Sequence, residues 1–227
     1  MAATAELLAR SSDGDVSTRA VCDAAGVQQP VIYRLFGDKE GLLAATIDSV
    51  WDQYLGMKRA AEQSEDPLDD LRAGWDSHTA FALANPNAYR LLYGSAAVDR
   101  TSSAAEAMRL LRAVLDRVAS QGRLLMDPEA ASRLVMAANT GVALALVLNP
   151  ALYPDPLLSG LMRDCVIDSV VTNSREAPAP GEAERVAAIT LRNSLPRSSG
   201  DLFTSSEAPL LDEWLERIQN HEMKERP

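Results

Sequence analysis

Apolar residues recur three and four positions apart along most of the chain, and no stretch alternates apolar and polar residues in steps of two. The first spacing places side chains on one face of a helix, whereas sustained alternation indicates a strand. We therefore predict an all-α protein. The expected helices span 1–10, 17–26, 28–36, 38–62, 67–84, 86–93, 104–121, 134–149, 156–172 and 182–195, with a last helix ending at 222.

An Asp or Asn followed by proline marks four expected helix starts, at Asp66-Pro67, Asn85-Pro86, Asp127-Pro128 and Asp155-Pro156. The Asp or Asn side chain is suited to accept a hydrogen bond from the first turn, and proline at the first helical position removes no intrahelical donor. Ser103 with Glu106 matches a capping box and predicts one more helix start.

Two short helical signals surround a single glycine within residues 17–43, which read STRAVCDAAGVQQPVIYRLFGDKEGLL. Ser17 is placed to cap the first helix and Gly26 to end it. The second helix is expected to start at Gln28 or Gln29. This arrangement indicates a helix-turn-helix, in which the second helix lies in the major groove of DNA with its N-terminal residues on the base edges.

The second helix of this motif has one polar and one apolar face. Ile32, Leu35 and Phe36 are expected to face inward. A glutamine amide pairs with adenine through a donor and an acceptor together, and Gln29 is the best candidate for a base contact. The residues expected to face DNA are Gln28, Gln29, Pro30, Val31, Tyr33 and Arg34.

These residues resemble the DNA-binding signature of the TetR family of bacterial transcriptional regulators. The resemblance is carried by Ala-Gly-Val at 25–27, by Tyr33 and Phe36, and by Lys-Glu at 39–40. It implies an N-terminal three-helix helix-turn-helix domain, residues 1–47, followed by a larger helical ligand-binding and dimerisation domain, residues 48–227. Within the second domain, residues 172–227 form extra C-terminal helices.

The resemblance also implies roles for residues outside the second helix. Arg19 matches an arginine that reaches a guanine, and the residues that match phosphate contacts are Ser17, Thr18, Tyr33 and Lys39. A different interpretation stays open for two of these positions. Gln29 is also compatible with a solvated polar residue, and Arg19 with an ion pair to Asp23 four residues later. Cys22 is interpreted as a small buried apolar residue.

The expected effector site lies in the larger domain, because mostly apolar cavities with a few polar groups bind small molecules. An aromatic stripe at helical spacing is also typical of a simple core, and that alternative stays open, above all for Trp75, Tyr89, Tyr93 and His78. The predicted ligand-binding residues are Trp75, His78, Phe81, Tyr89, Tyr93, Met108, Leu111, Leu115, Met136, Asn139 and Thr140.

The most apolar run, at 134–149, reads LVMAANTGVALALVLN. It is too short for an ordinary membrane span, and a helix that is apolar on all sides is expected to be buried. Its polar residues Asn139 and Thr140 then require partners, either in the protein or on a ligand. With the following helix it is expected to form a twofold dimer interface, as the resemblance implies.

Composition adds one discordant observation. The 227 residues carry a formal net charge of −10, and residues 1–47 contain four basic and six acidic side chains. DNA-binding domains are usually basic, so we expect weak non-specific binding. Two distant cysteines form no disulfide framework, and with no secretory signal we expect a cytoplasmic protein that does not bind membranes.

Sequence motifs for catalysis are missing. His78 and His221 are the only histidines, and no phosphate-binding loop or nucleophile motif occurs. We expect no enzymatic activity, no cofactor and no metal. The prediction is a homodimeric TetR-type repressor that a small, largely apolar effector releases from a palindromic operator. The alternative is a helix-turn-helix module that docks on a protein instead of DNA; only DNA binding requires Arg19, Gln29, Tyr33 and Lys39 together.

Overall fold

The computed structural model describes residues 1–11, 14–94, 101–172, 182–195 and 202–220. These residues form helices without a strand; one isolated antiparallel bridge joins Leu124 to Val171. The all-α prediction is confirmed. The helices are α1 Ala2–Arg10, α2 Thr18–Ala25, α3 Gln29–Phe36, α4 Lys39–Ala60, α5 Pro67–Ala84, α6 Pro86–Gly94, α7 Thr101–Ser120, α8 Pro128–Leu148, α9 Leu157–Val170, α10 Glu182–Ser194 and α11 Glu207–Gln219.

Three of the four predicted Asp/Asn-Pro starts work as caps. Asp66, Asp127 and Asp155 each accept a hydrogen bond from the backbone N–H two residues ahead, at 2.8–2.9 Å. Asn85 differs, because its Nδ2 donates to the Phe81 carbonyl oxygen at 3.0 Å and so binds the end of α5. The three Asp side chains therefore cap the following helix, whereas Asn85 binds the preceding one.

The helix start predicted from Ser103 and Glu106 is wrong. Helix α7 already begins at Thr101, so Ser103 lies inside its first turn. Glu106 is instead bound by two arginines, Arg109 on the same helix at 2.8 Å and Arg59 of α4 at 3.3 Å. The predicted end of the last helix at 222 lies outside the described residues.

The chain divides into two compact units. The first comprises residues 1–62, 74–110 and 139–159 and contains two groups of buried side chains. The group that we call the head core consists of Leu8, Val16, Val21, Cys22, Ile32 and Leu42. The group that we call the aromatic core consists of Ile47, Trp51, Tyr54, Leu55, Ala82, Tyr89, Leu92, Ala143 and Val147, with Phe81 and Tyr93 packed against it.

The second unit comprises residues 63–73, 111–138 and 160–227. Its buried side chains come mainly from α7, α8, α9 and α10 and include Leu115, Val118, Leu124, Val135, Ile167, Val170 and Ile189. Arg117 binds the Ser64 carbonyl oxygen at 2.6 Å and the Asp70 carboxylate. Arg192 of α10 binds Asp212 of α11 at 2.9 Å, which helps to hold these two helices together.

Helix α8 is not buried on all sides, and that prediction is wrong. Leu134 is 41% and Leu148 is 52% exposed, while Val135 and Val142 on other faces are buried. The length argument fails too, because the helix begins at Pro128 and its 21 residues are long and apolar enough to cross a membrane. The core helix of a soluble protein has the same length and composition, and 44% of its most apolar window is buried here.

Two further helices bury only some of their apolar side chains. Leu35, expected to face inward on α3, is 65% exposed, whereas Ile32 is buried. The apolar residues of α11 do not share one buried face: Leu215 is buried, whereas Trp214 is 51% exposed. In both helices, apolar side chains one position away from the buried stripe turn toward the solvent.

Candidate nucleic-acid interface and effector site

Local signals build the helix-turn-helix at the N-terminus as predicted. The Ser17 hydroxyl accepts a hydrogen bond from the Ala20 N–H at 3.1 Å and caps α2. Gly26 ends α2 with φ at +66°, in the left-handed region that favours glycine. Of the two predicted starts for the next helix, Gln29 is the first helical residue and Gln28 is the N-cap.

The junction between α3 and α4 depends on a close backbone approach. Asp38 caps α4 by accepting from the Gly41 N–H at 2.7 Å. A Cβ atom at Gly41 would lie 2.1 Å from the Phe36 carbonyl oxygen. Glycine is therefore required here, since any side chain would force the end of α3 away from the start of α4.

Seven of the ten predicted DNA contacts are exposed, and the other three are half-buried. Tyr33 is 44% exposed. The exposed residues are Ser17, Arg19, Gln28, Gln29, Pro30, Tyr33 and Arg34; the half-buried ones are Thr18, Val31 and Lys39. The helix-turn-helix thus presents a polar surface with two arginines.

Hydrogen bonds orient the amide of Gln29. Its Nε2 donates to the Tyr33 hydroxyl at 3.0 Å and to the Thr18 hydroxyl at 3.4 Å. Because both bonds use the amide nitrogen, the amide oxygen remains available as an acceptor. Three predicted contacts from α2 and α3 are therefore connected before any partner binds.

The two arginines of this surface form no ion pair with another described residue, which removes one of the open alternatives. The predicted alternative partner of Arg19 was Asp23, and no bond joins them. Arg34 also remains exposed near the end of α3. Both guanidinium groups therefore remain available to an anionic group of a binding partner.

Lys39, the fourth predicted phosphate contact, forms an ion pair with Asp15 in the loop before α2. Sequence reasoning did not predict the contact of Asp15 with Lys39. One signal was available: an acidic side chain lies two positions before the cap Ser17, in a segment otherwise expected to approach phosphates. The pairing itself joins residues 24 positions apart and is not encoded locally.

Three of the predicted effector residues, Phe81, Tyr89 and Tyr93, belong to the aromatic core or pack against it, and the polar side chains of His78 and Tyr89 have partners within the protein. His78 is 5% exposed, and its Nε2 lies 2.8 Å from the Tyr89 hydroxyl. Burial, with a smaller effect of the Lys58 charge, lowers the pKa of His78 to about 4. Burial also raises the pKa of Tyr89 far above its ordinary value. His78 is therefore a neutral core histidine near pH 7.

Asn139 satisfies its hydrogen bonds inside the protein, which answers the question left open for it. Its Nδ2 donates to the Trp75 carbonyl oxygen at 3.2 Å, and its Oδ1 accepts from the Thr79 hydroxyl at 3.2 Å. Ser159 completes the group by accepting from the Trp75 Nε1 at 2.9 Å. A ligand that used Asn139 would first have to displace these bonds.

The remaining predicted effector residues differ in their surroundings. The Tyr93 and Thr140 hydroxyls lie 3.5 Å apart. Phe81 stacks on Tyr54 with the ring centroids 4.4 Å apart and is half-buried, as is Met108. Leu111, Leu115 and Met136 belong to the second compact unit.

Sequence reasoning missed three residues of α4 that face the effector residues. Trp51 and Tyr54 contribute rings to the aromatic core, and the Trp51 centroid lies 5.4 Å from that of Phe81. Lys58 donates to the Gly74 carbonyl oxygen at 2.6 Å and lies 5.3 Å from the Tyr54 ring centroid. Burial lowers the pKa of Lys58 to about 8. The signal was the helical spacing of these residues along α4.

The second unit has a cleft of about 340 Å³ that the sequence did not predict. Arg112, Arg192, Asp127 and Asp212 supply its charged groups, and Phe203, Leu211 and Leu215 supply much of its apolar lining. It contains none of the predicted effector residues. Across the described residues, no group of three His, Cys, Asp or Glu side chains is placed to hold a metal ion.

Known proteins resemble the chain in both of its predicted regions. The family model for bacterial regulatory proteins of the tetR family matches residues 1–46, and the model for a tetracyclin repressor-like C-terminal domain matches residues 71–156. No curated protein matches the chain.

Two crystal structures share the fold. A TetR transcription regulator from Haloarcula marismortui ATCC 43049 matches with a TM-score of 0.60 and 18% identity, covering 75% of this chain and 95% of that one. A protein described as a tetR family transcription regulator from Shewanella sp. PV-4 matches with a TM-score of 0.54 and 19% identity, covering 76% and 96%.

Proposed function

We propose that this member of the TetR family of bacterial transcription regulators is a cytoplasmic homodimeric repressor. In this proposal residues 1–47 read a roughly palindromic operator, and residues 48–227 bind a small, largely apolar effector that releases the DNA. The family membership supports regulation by DNA binding and argues against an enzyme. The repression, the operator symmetry and the effector are the proposed parts.

The observation that carries the proposal is the exposed surface around Gln29. Its amide nitrogen is held by Tyr33 and Thr18, so the side chain is oriented at the N-terminus of the helix that enters the major groove. A free amide oxygen can accept from an adenine N6 once the amide nitrogen exchanges its protein partner for N7. Arg19 and Arg34 flank this position with guanidinium groups that pair with no described residue.

The proposed DNA contacts form two groups that differ in side-chain chemistry. Gln28, Gln29, Pro30 and Val31 are proposed to face the base edges, with Arg19 on a guanine. The residues proposed for the DNA backbone are Ser17, Thr18, Tyr33 and Lys39. Backbone contacts fix the register without reading sequence, whereas base contacts discriminate.

Dimerisation is supported by apolar side chains that remain exposed in the single chain. In the second unit, Leu134 of α8 is 41% exposed, and Leu161 and Met162 of α9 are 66% and 37% exposed. Val166 and Ile167 of the same helix are buried. A second copy that covers the exposed residues would remove apolar surface from water. It would also supply a second helix-turn-helix for the other half of a palindrome.

The proposed route from effector to DNA uses helices of the first unit. The aromatic core is built from α4, α5, α6 and α8, and α4 begins at Lys39 beside the helix-turn-helix. On α6, Asn87 donates to the Leu8 and Ser11 carbonyl oxygens at 2.8 and 2.7 Å, while Tyr89 lies in the aromatic core. An effector that binds one arrangement of these helices better than another shifts the dimer between two DNA affinities.

The proposed effector contacts are those predicted residues that belong to the first unit: Trp75, His78, Phe81, Tyr89, Tyr93, Met108, Asn139 and Thr140. Since His78, Trp75 and Asn139 already have protein partners, polar groups of the effector would have to replace existing hydrogen bonds. Mostly apolar molecules avoid this loss. This favours a largely apolar effector that enters by displacing side chains such as the half-buried Phe81.

The experiment that tests the function is selection of bound sequences from a random duplex library at low salt. The expected result is one enriched sequence with twofold symmetry, which then serves as the probe for effectors that release it. A folded dimer that enriches no sequence would contradict the proposal and favour docking of the helix-turn-helix on a protein. Low salt is needed because residues 1–47 are acidic overall.

A further inference from the structure

Asp15 occupies a position that would normally oppose DNA binding. Its carboxylate pairs with Lys39, the first residue of α4 and one of the proposed phosphate contacts. Asp15 also lies two and three residues before Ser17 and Thr18, the other proposed contacts in this segment. A negative charge thus sits within the surface that is expected to meet the negative DNA backbone.

Hydrogen bonds join Asp15 to its described neighbours Ser11 and Val16. The Asp15 Oδ1 accepts from the Val16 N–H at 2.8 Å, and the Asp15 carbonyl oxygen accepts from the Ser11 hydroxyl at 2.8 Å. Ser11 also accepts from the Gly14 N–H at 3.0 Å. The carboxylate is therefore directed toward Lys39 by the loop.

This loop is also attached to α6. The buried Asn87 side chain donates to the Ser11 carbonyl oxygen at 2.7 Å and to the Leu8 carbonyl oxygen at 2.8 Å, so it holds the end of α1 where the loop begins. Gly14 lies against Asn87, and its φ of +77° requires the conformational freedom of glycine. The end of α1, next to the segment that carries Asp15, is thus bound to α6 by hydrogen bonds.

We propose that Asp15 lowers the affinity of the helix-turn-helix domain for DNA of any sequence by engaging Lys39 and repelling the nearby phosphate. The inference rests on the proposed DNA-binding function and refines it. Non-specific affinity depends on how many cations replace the counterions of DNA. With Lys39 paired in the free protein, one such cation is already neutralised, and binding to a wrong sequence gains less.

Operators and other sequences lose affinity by the same factor. Contacts from Gln29 and Arg19 to base edges do not involve Asp15, so the preference for an operator over other DNA is unchanged. An exposed ion pair such as Lys39 with Asp15, with side chains 39% and 62% exposed, is weak enough for a phosphate to displace. Asp15 therefore lowers the affinity for every sequence without preventing operator binding.

The test compares Asp15→Asn with the full chain in binding to a random-sequence duplex over a range of salt concentrations. Asparagine keeps an oxygen for the Val16 N–H and removes only the charge. The expected result is about threefold to tenfold tighter binding, with the slope of log affinity against log salt steeper by about one. The matched control is Asp52→Asn, which removes the same charge from an exposed position on α4 and should change the affinity less than twofold, or about 0.4 kcal/mol.

The same substitution in a chain without the Lys39 charge separates the effect of the ion pair from the effect of net charge. In a Lys39→Gln chain, Asp15→Asn should tighten binding clearly less than it does in the full chain. Equal tightening in both backgrounds, equal tightening by Asp52→Asn, or weaker binding of Asp15→Asn would each overturn the inference; the last result would mean that Asp15 positions Lys39 for its phosphate. If the full chain and all the variants bind no duplex even at low salt, the proposed DNA-binding function itself fails, and this inference fails with it.

Discussion

The helix-turn-helix and the aromatic core treat polar side chains in opposite ways, although both belong to the same compact unit. On the helix-turn-helix surface, Arg19, Gln28 and Arg34 are exposed, and no hydrogen bond joins their side chains to another described residue. At the aromatic core, the buried His78 contacts the Trp51 ring and binds the Tyr89 hydroxyl at 2.8 Å. The first region keeps its polar groups for an external partner, whereas the second uses them to fix its own packing.

This difference separates binding from stability. Changes on the exposed surface are expected to alter recognition and leave the fold intact, because those side chains contribute few contacts within the protein. Changes in the aromatic core are expected to unfold the first unit or loosen it before any effect on a ligand can be measured. Four predictions test this contrast, beginning with the largest expected effect.

Replacement of Trp75 by alanine should lower the free energy of unfolding by about 3–5 kcal/mol, since Trp75 is 2% exposed and its loss leaves a large cavity. Urea denaturation at one fixed protein concentration measures this value. The control is Trp214→Ala in α11, where the ring is 51% exposed and the expected loss is below about 0.5 kcal/mol. Similar losses at both tryptophans would contradict the assignment of Trp75 to the core.

Protonation of His78 should destabilise the protein in acid. Its pKa is about 4 in the folded protein and near 6.5 when unfolded, so the unfolded chain binds more protons between these values. Stability is therefore unaffected by this group above pH 6.5 and falls as the pH drops toward 4. The full effect is roughly 3 kcal/mol.

Parallel denaturation of the native chain and His78→Gln from pH 7 to pH 4.5 isolates this effect from the carboxylates, which are common to both. The advantage of the native chain should shrink as the pH falls. A constant difference across the range would show that His78 does not titrate in this window.

Replacement of Gln29 by alanine should reduce discrimination at one base pair by about 1–3 kcal/mol, with unfolding unchanged. Lys39→Ala should instead weaken binding to all sequences alike and lower the salt slope. Titrations of the selected operator, of single-base variants and of random DNA distinguish the two. Equal losses on random and selected DNA for both variants would refute the division between base and backbone contacts.

The smallest effect is expected at Leu35. Because this side chain is 65% exposed, Leu35→Gln should change the free energy of unfolding by less than about 0.5 kcal/mol. Ile32→Gln, three residues earlier and buried in the head core, is the matched control and should be strongly destabilising. Comparable destabilisation at both positions would mean that α3 buries its second apolar residue in a partner chain or in the protein itself.

Much of the helix-turn-helix could be predicted because its signals are local. Ser17, Gly26 and Asp38 act on backbone groups within five residues, and each does what its residue type indicates. Leu35 shows the limit of this reasoning, since an apolar position at the edge of a helical stripe does not reveal whether a neighbouring helix covers it. Helix α8 shows the same limit at Leu134 and Leu148.

Contacts between distant parts of the chain could not be predicted in the same way. The bond from Trp75 to Ser159 joins residues 84 positions apart, and the ion pair of Asp15 with Lys39 depends on how two helices meet. Asn139 was recognised as a buried polar residue that needs partners, yet only the packing of α5 against it identifies Thr79 and the Trp75 carbonyl. Residue type indicated the requirement, and the fold supplied the partner.

The most direct test of the central claim is the ratio of affinities for the selected palindrome and for a scrambled duplex of the same composition, measured with the intact dimer at one stated salt concentration. We expect the dimer to prefer the palindrome over the scrambled duplex by at least about 1,000-fold. In Gln29→Ala this preference should be smaller, while the affinity for random sequences stays the same. Equal affinity for the two duplexes would contradict the claim that the exposed surface around Gln29 reads DNA.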